Sequence, residues 1–265
     1  MDALDQGVSK LLRAVGQEII LPRFGDLAAH HISEKTPGEL VTIVDHEAEQ
    51  RLTEGLARIL PEARVVGEEA VAADPEHLKD LARGGIWLVD PLDGTANFVS
   101  GRTPFAIMVA LLNDGETEAA WILDPVSGRQ CSAFKGRGAF IDGQPFHARA
   151  TGAPLPVAAL ATHFIPQPMR RTIERRAEGR FEIAPIPRCA GEQYPRVVDG
   201  TNDVALFWRT LPWDHAPGAL FVEEAGGRVA RPDGRPYRAA ETETGLLAAA
   251  SPQLWDKAAA ILFSD

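Results

Sequence analysis

The chain has 265 residues, 45% of them hydrophobic, enough to build a real core in one large domain or two packed halves. Its formal net charge is −10, from 27 basic and 37 acidic residues, so nucleic acid is not the expected ligand and any small anion must be neutralised locally. Cys131 and Cys189 give neither a disulfide framework nor a zinc spacing, the N-terminus is acidic without a signal-peptide layout, and no apolar run reaches membrane-spanning length, so a reduced, cytoplasmic protein off the membrane is expected.

Leu4, Val8, Leu11, Leu12, Val15 and Ile19 share one face of a first helix. Ala48, Leu52, Leu56, Ile59 and Leu60 mark a second, ended by Pro61. Arg64 to Val66 reads as a short strand entering Gly67, Glu68 and Glu69. Ile86 to Val89 is the next strand, and it runs straight into Asp90 and Asp93, with Pro91 and Leu92 between them. Gly94 and Thr95 then look like a helix start. Phe105 to Leu112 and Thr117 to Leu123 read as antiparallel strands joined at Asn113, Asp114 and Gly115. Cys131 to Phe134 and Ala139 to Phe146 add more strand, the latter turning at Asp142 and Gly143. This meander argues against a purely parallel sheet.

Thr151 to Pro156 is rich in breakers and divides the chain into halves 1–150 and 151–265. The second half alternates: strand near Val157 to Thr162, helix near Arg170 to Ala177, strand near Glu182 to Ile186, helix near Glu192 to Val198, strand near Val204 to Trp208. Trp213, Asp214 and His215 open an apolar helix closed by Gly226 and Gly227. Leu246 to Ala250 is a strand and Pro252 to Leu262 a last helix. The fold class is α/β (α+β), a layered mixture of helices and sheets.

Carboxylates at the end of a buried strand are costly unless something compensates their charge, and a divalent cation is the natural compensator. The helix start at Gly94 and Thr95 offers N–H groups to an anion. Together they suggest phosphate-ester chemistry. Glu68, Asp90, Asp93 and Asp214 all sit at element junctions, although each alone has a plainer use as a cap or turn residue. Asp45, three residues after Thr42, has the spacing of a capping interaction. His215 is expected to be a helix-start histidine in solvent, and Lys35 either a surface lysine or a cation beside the acidic cluster.

Taken together, these segments resemble the inositol monophosphatase family of Mg²⁺-dependent, lithium-sensitive phosphatases. Asp90 to Phe98 matches the pattern D-P-[LI]-D-G-T-x-N-F, Trp213 to Gly227 the pattern W-D-x-A-x-G…E-A-G-G, and Gly67 to Glu69 the pattern G-E-E. Lys35, Leu40 to Thr42 and Asp45 match the upstream K…L-V-T-x-x-D, in the family's order. The resemblance implies the αβαβα sandwich shared with fructose-1,6-bisphosphatase. It implies metal ligation by Glu68, Asp90, the Leu92 carbonyl, Asp93 and Asp214, with two or three Mg²⁺ ions as cofactor. Asp45 and Thr95 would orient and deprotonate the attacking water, with Glu68 beside it, and the Gly94 and Thr95 N–H groups would cradle the phosphate. A small phosphorylated metabolite is the implied substrate, without a covalent phosphoenzyme. Many members are homodimers, which the resemblance carries over, although nothing in the sequence independently marks a dimer interface.

The departures bear on the substrate. Ala96 stands where many members carry a second threonine. Phe207 stands seven residues before Asp214, where inositol phosphatases carry a glutamate that contacts a substrate hydroxyl. A phenyl ring cannot accept that hydrogen bond. The substrate-side segment Gly191, Glu192, Gln193 and Tyr194 is bulkier and more acidic than the family's small one. Glu192 would suit a cationic amine such as that of histidinol phosphate. Tyr194 or Phe207 would suit the base of 3′-phosphoadenosine 5′-phosphate, and Arg188, Arg196 and Arg209 a second anionic group. Some family members also bind the transcription machinery, so a regulatory interaction protein is the alternative from another class.

Overall fold

A computed structural model describes residues 3–36 and 39–263. Helix α1 (Ala3–Val15) buries Val8, Leu11, Leu12 and Val15, the face the sequence marks out. It continues as a π turn over Gly16–Ile20 and a 3₁₀ turn over Leu21–Arg23. The wider turn rotates the chain by part of a residue step, so Ile20 is fully buried and the expected Ile19 only half. Strands β1 (Ile32–Thr36) and β2 (Glu39–Thr42) pair antiparallel in a small ribbon that the hydrophobic pattern does not reveal. Helix α2 (Ile43–Ile59) starts earlier than its apolar stripe because Thr42 and Asp45 form a capping box.

Next come β3 (Arg64–Gly67), α3 (Glu68–Ala73), β4 (Gly85–Asp93), α4 (Thr95–Val99), β5 (Ala106–Asn113), β6 (Glu116–Leu123), β7 (Gln130–Phe134), β8 (Gly138–Ile141) and β9 (Gln144–Phe146). The strands form one seven-stranded sheet in order β3-β4-β5-β6-β7-β8-β9. β3 and β4 run parallel and every later neighbour antiparallel, as the meander predicts. The rest of the chain supplies β10 (Val157–Leu160), α5 (Gln167–Ala177), β11 (Glu182–Ile183), α6 (Ala190–Val198), β12 (Val204–Phe207), α7 (Pro212–Glu224), β13 (Arg228–Ala230), β14 (Leu246–Ala249) and α8 (Pro252–Phe263). Its five strands order as β11-β10-β12-β14-β13.

The period-two alternation of the strands sets the layers. On β5 and β6, Ile107, Val109, Trp121 and Leu123 face the core of α1 and α2. Their neighbours Ala106, Met108, Ala120 and Ile122 face a second core with α6 and α7. On β12 and β14, Ala205, Phe207, Leu246 and Ala248 join that same second core from the other side. Val204, Leu206, Leu247 and Ala249 turn outward to α5 and α8. The result is the expected αβαβα sandwich, with α6 and α7 between the two sheets. Among the described residues no helix is long and apolar enough to cross a membrane.

Candidate active site

The C-terminal ends of β3 and β4 and the N-terminal ends of α3, α4 and α7 meet at one cavity of about 240 Å³. Its lining includes Glu68, Asp90, Asp93 and Asp214, together with Leu92, Gly94 and Thr95. In a regular strand Asp90 and Asp93, three positions apart, would face opposite ways. The pairing of β4 with β5 shifts register between them, and this bulge turns both carboxylates to the same cavity. Asp90 Oδ1 accepts the Leu92 N–H at 2.9 Å, which closes the bulge. Gly94 sits at φ +88°, a left-handed position where a Cβ would lie 3.0 Å from the Pro104 carbonyl, so glycine is required at the entry to α4.

Asp90, Asp93 and Asp214 do not behave as ordinary carboxylates. Burial, then the charges of Glu68, Asp214 and Asp93, push Asp90 well above the usual range. Burial, then Glu68 and Asp93, do the same to Asp214. Burial raises Asp93 to about 6, opposed by hydrogen bonds from Cys189 and from the Gly191 N–H, the latter 2.6 Å from Asp93 Oδ2. Lys35 Nζ bridges Glu68 Oε1 at 2.9 Å and Glu69 Oε1 at 2.5 Å, which places it beside the acids. Burial would lower Lys35, but the charge of Glu68 and the bonds to both glutamates outweigh it and hold its pKa above the usual value.

Among the described residues no three acidic, imidazole or thiol groups already surround one ion position. Three of the acids have a partner: Asp90 the Leu92 amide, Asp93 the Gly191 amide and Glu68 the Lys35 ammonium. Burial and the neighbouring acids together penalise the charged forms of Asp90 and Asp214, and a hard divalent cation is what such an all-oxygen donor set suits. The residues therefore fit a hard divalent cation.

Asp45 is 2% exposed, and its two oxygens divide the work. Oδ2 accepts the Thr42 N–H at 2.8 Å and the Thr42 hydroxyl at 2.6 Å, the capping role. Oδ1 accepts the Thr95 hydroxyl at 3.1 Å, and that hydroxyl also lies 2.9 Å from the Leu92 carbonyl. Burial raises the Asp45 pKa against the opposing Thr42 bonds. Glu49, one turn further along α2, is a residue that sequence reasoning missed. Its carboxylate accepts the Glu69 and Ala70 N–H groups at 2.7 and 2.8 Å, and so fixes the helix start that carries Glu68.

For the expected substrate-side residues the outcome divides. Gln193 and Phe207 line it, and Gly191 and Glu192 do not. Glu192 is held by Arg129 Nη2 at 2.5 Å and Arg196 Nε at 2.7 Å, so neither Glu192 nor Arg196 is available to a substrate. Gly191 serves the site from behind, through its N–H to Asp93. Tyr194 is fully buried, stacked on Phe207 at 4.7 Å, and its hydroxyl meets His215 Nδ1 at 2.8 Å, so a base cannot stack on it. His215 is not in solvent. It is 2% exposed, its Nε2 lies 2.9 Å from the Arg209 carbonyl, and burial lowers its pKa to about 4.

A family model described as the inositol monophosphatase family matches residues 2–264. The fructose-1,6-bisphosphatase/inositol-1-monophosphatase of Thermotoga maritima is 30% identical over 230 residues, covering 86% of this chain and 84% of that protein. Nus factor SuhB of Pseudomonas aeruginosa is 31% identical over 224 residues, 80% of this chain and 79% of its own. Among solved structures, Thermotoga maritima IMPase aligns with a TM-score of 0.82 at 27% identity, over 99% of this chain and 97% of that one.

Proposed function

The chain belongs to the inositol monophosphatase family and is a phosphoric monoester hydrolase, and from that premise we propose that it cleaves a small phosphorylated metabolite by direct attack of water with Mg²⁺. One observation supports the proposal: four carboxylates from α3, β4 and α7 line a single cavity together with Thr95, whose hydroxyl donates to Asp45. When bound, Mg²⁺ supplies a Lewis acid that neutralises phosphate charge and makes water a better nucleophile. Glu68, Asp90, Asp93, Asp214 and the Leu92 carbonyl would hold it.

The chain's own groups do the rest. The Gly94 and Thr95 N–H groups, at a helix start with no acceptor inside the helix, bind the phosphoryl oxygens. Thr95 Oγ1 orients the water and passes its proton toward Asp45 Oδ1, while Thr42 holds Oδ2 and so fixes the acceptor. The new P–O bond forms as the ester P–O bond breaks, and the leaving alkoxide takes a proton from solvent. The products are an alcohol and inorganic phosphate.

Phosphate release with Mg²⁺ from inositol 1-phosphate, histidinol phosphate, 3′-phosphoadenosine 5′-phosphate and fructose 1,6-bisphosphate tests this, with Asp93→Asn as control. Turnover of at least one, lost in the variant, is expected; no turnover of any, or turnover that survives Asp93→Asn, would sink it. The likeness to a Nus factor favours a second role as a binding partner of the transcription machinery. A pull-down with and without Mg²⁺ reads it, and no transcription component in either condition would remove it.

A further inference from the structure

The helix that carries Asp214 begins without the usual fastenings. The N-cap of α7 is Leu211, whose side chain cannot accept from the first N–H groups. Pro217 lies inside the helix and has no N–H to give the Trp213 carbonyl four residues back. The first turn, with Asp214 and His215 in it, is therefore held weakly by its own hydrogen bonds. Yet Asp214 has to stand at a fixed distance from Asp93 if both are to grip one cation, because Mg²⁺ demands a near-ideal geometry of short oxygen bonds.

His215 supplies the missing fastening from two sides. Its Nε2 lies 2.9 Å from the Arg209 carbonyl, and a carbonyl only accepts, so Nε2 carries the proton. Burial keeps the ring neutral, so Nδ1 accepts from the Tyr194 hydroxyl, 2.8 Å away. Both anchors are themselves fixed. The segment holding Arg209 is tied by the Gly245 N–H on the Trp208 carbonyl at 2.9 Å and by buried Arg231 on Thr210 Oγ1 at 3.2 Å. The Tyr194 ring stacks on Phe207 at 4.7 Å and fills the space over Gly218, where a Cβ would come within 1.9 Å of it. Phe207 also meets the His215 ring edge to face at 4.9 Å. Helix α6 thus makes two contacts one turn apart. Gly191 gives its N–H to Asp93 Oδ2 at 2.6 Å, and Tyr194 gives its hydroxyl to His215. One helix is the common reference for Asp93 and for the turn that carries Asp214.

We propose that His215 is a positioning residue: with Tyr194 it locks the first turn of α7 to α6, and so fixes the spacing of Asp214 from Asp93 on which affinity for a divalent cation depends. This rests on the metal ligation proposed above. His215 acts here through the backbone of its own turn, without touching the ion.

Metal-free protein titrated with Mg²⁺ alone by calorimetry tests it, with the metal-free melting temperature measured beside it. His215→Phe keeps a ring and removes both bonds, and should weaken Mg²⁺ binding about tenfold. Tyr194→Phe removes one hydroxyl and should weaken it about threefold. It should add nothing to His215→Phe in the double variant, since the two residues form one bridge. His215→Gln brings an N–H to the Arg209 carbonyl and should recover part of the affinity lost in His215→Phe. A merely structural histidine would lower the metal-free melting temperature and leave Mg²⁺ affinity standing, which overturns the inference. So does an affinity in His215→Gln no better than in His215→Phe. If His215→Phe does not fold, Tyr194→Phe decides alone, weaker binding supporting the bridge and parental binding overturning it. A parent protein that binds Mg²⁺ but hydrolyses no phosphate ester removes the hydrolytic function, while the binding series still decides this inference. A parent that binds no divalent cation removes the ligation, and the inference with it.

Discussion

At the scale of single residues, Asp45 is the test of how one carboxylate serves two ends. Asp45→Asn removes the charged acceptor for Thr95 and disturbs the bonds to Thr42. The expected result is a fall in kcat of roughly 10²–10⁴ for loss of a proton acceptor, against a stability loss of only about 1 kcal/mol for a weakened cap. Equal loss in both readouts would make Asp45 a cap alone. Glu49→Gln keeps an oxygen for one of its two N–H partners and loses the charge, so a loss of about 1–2 kcal/mol and weaker Mg²⁺ binding are expected by thermal melts with metal titration. Unaltered metal affinity would show that α3 is positioned without it. These residues differ in how they show in the sequence. The Asp45 spacing to Thr42 is visible, whereas Glu49 looks like part of a polar helix face, because its partners lie 20 and 21 positions away. His215 misleads for the same reason: Tyr194 and Phe207 bury it, and no local pattern announces them.

Between elements, the closest approach that matters is α6 against β5. A Cβ on Gly191 would lie 2.6 Å from the Ala106 Cβ, so helix and strand meet only because this residue has no side chain. Gly191→Ala should cost about 1–3 kcal/mol, read by denaturant unfolding, and should also impair activity because the Gly191 N–H moves away from Asp93. A variant of parental stability would mean the helix can retreat freely. Much of this level is legible from the chain. The meander of the first sheet, the strand entering Asp90 and Asp93, and the apolar helix after Asp214 follow from alternation and from glycine and proline punctuation. The β1–β2 ribbon and the π turn in α1 are not, since they arise from pairing and packing that hydrophobic periodicity does not encode. The bulge that brings Asp90 and Asp93 together is carried in the sequence only as a proline between them.

For the whole molecule, the acidic cluster couples metal to stability. A carboxyl whose folded pKa is raised binds its proton more tightly when folded, so its contribution is present at low pH and lost as pH rises. Asp90 and Asp214 lie well above the usual range, and burial raises Glu69 to about 7. His215 acts in the opposite sense, adding stability as pH climbs to about 6.5, the unfolded value, so the acids are read above that. Without metal, the melting temperature should therefore fall between about pH 6.5 and 8, and Mg²⁺ should recover it. Asp90→Asn should make the metal-free protein more stable at about pH 8, on the order of 1 kcal/mol, while abolishing the gain from Mg²⁺. A metal-free melting temperature that rises across that window would contradict the cluster.

The middle layer has one more consequence. Because α6 and α7 press on both sheets at once, neither sheet has a private core on its inner side. A polypeptide stopped near residue 150 would leave Met108, Ala120 and Ile122 facing water, with nothing to cover them. The two sheets are therefore bound to melt in a single cooperative step. On the proposed metal ligation, a cation held by Asp214 on the shared layer and Asp90 on the first sheet would tighten the entire molecule and not one lobe of it.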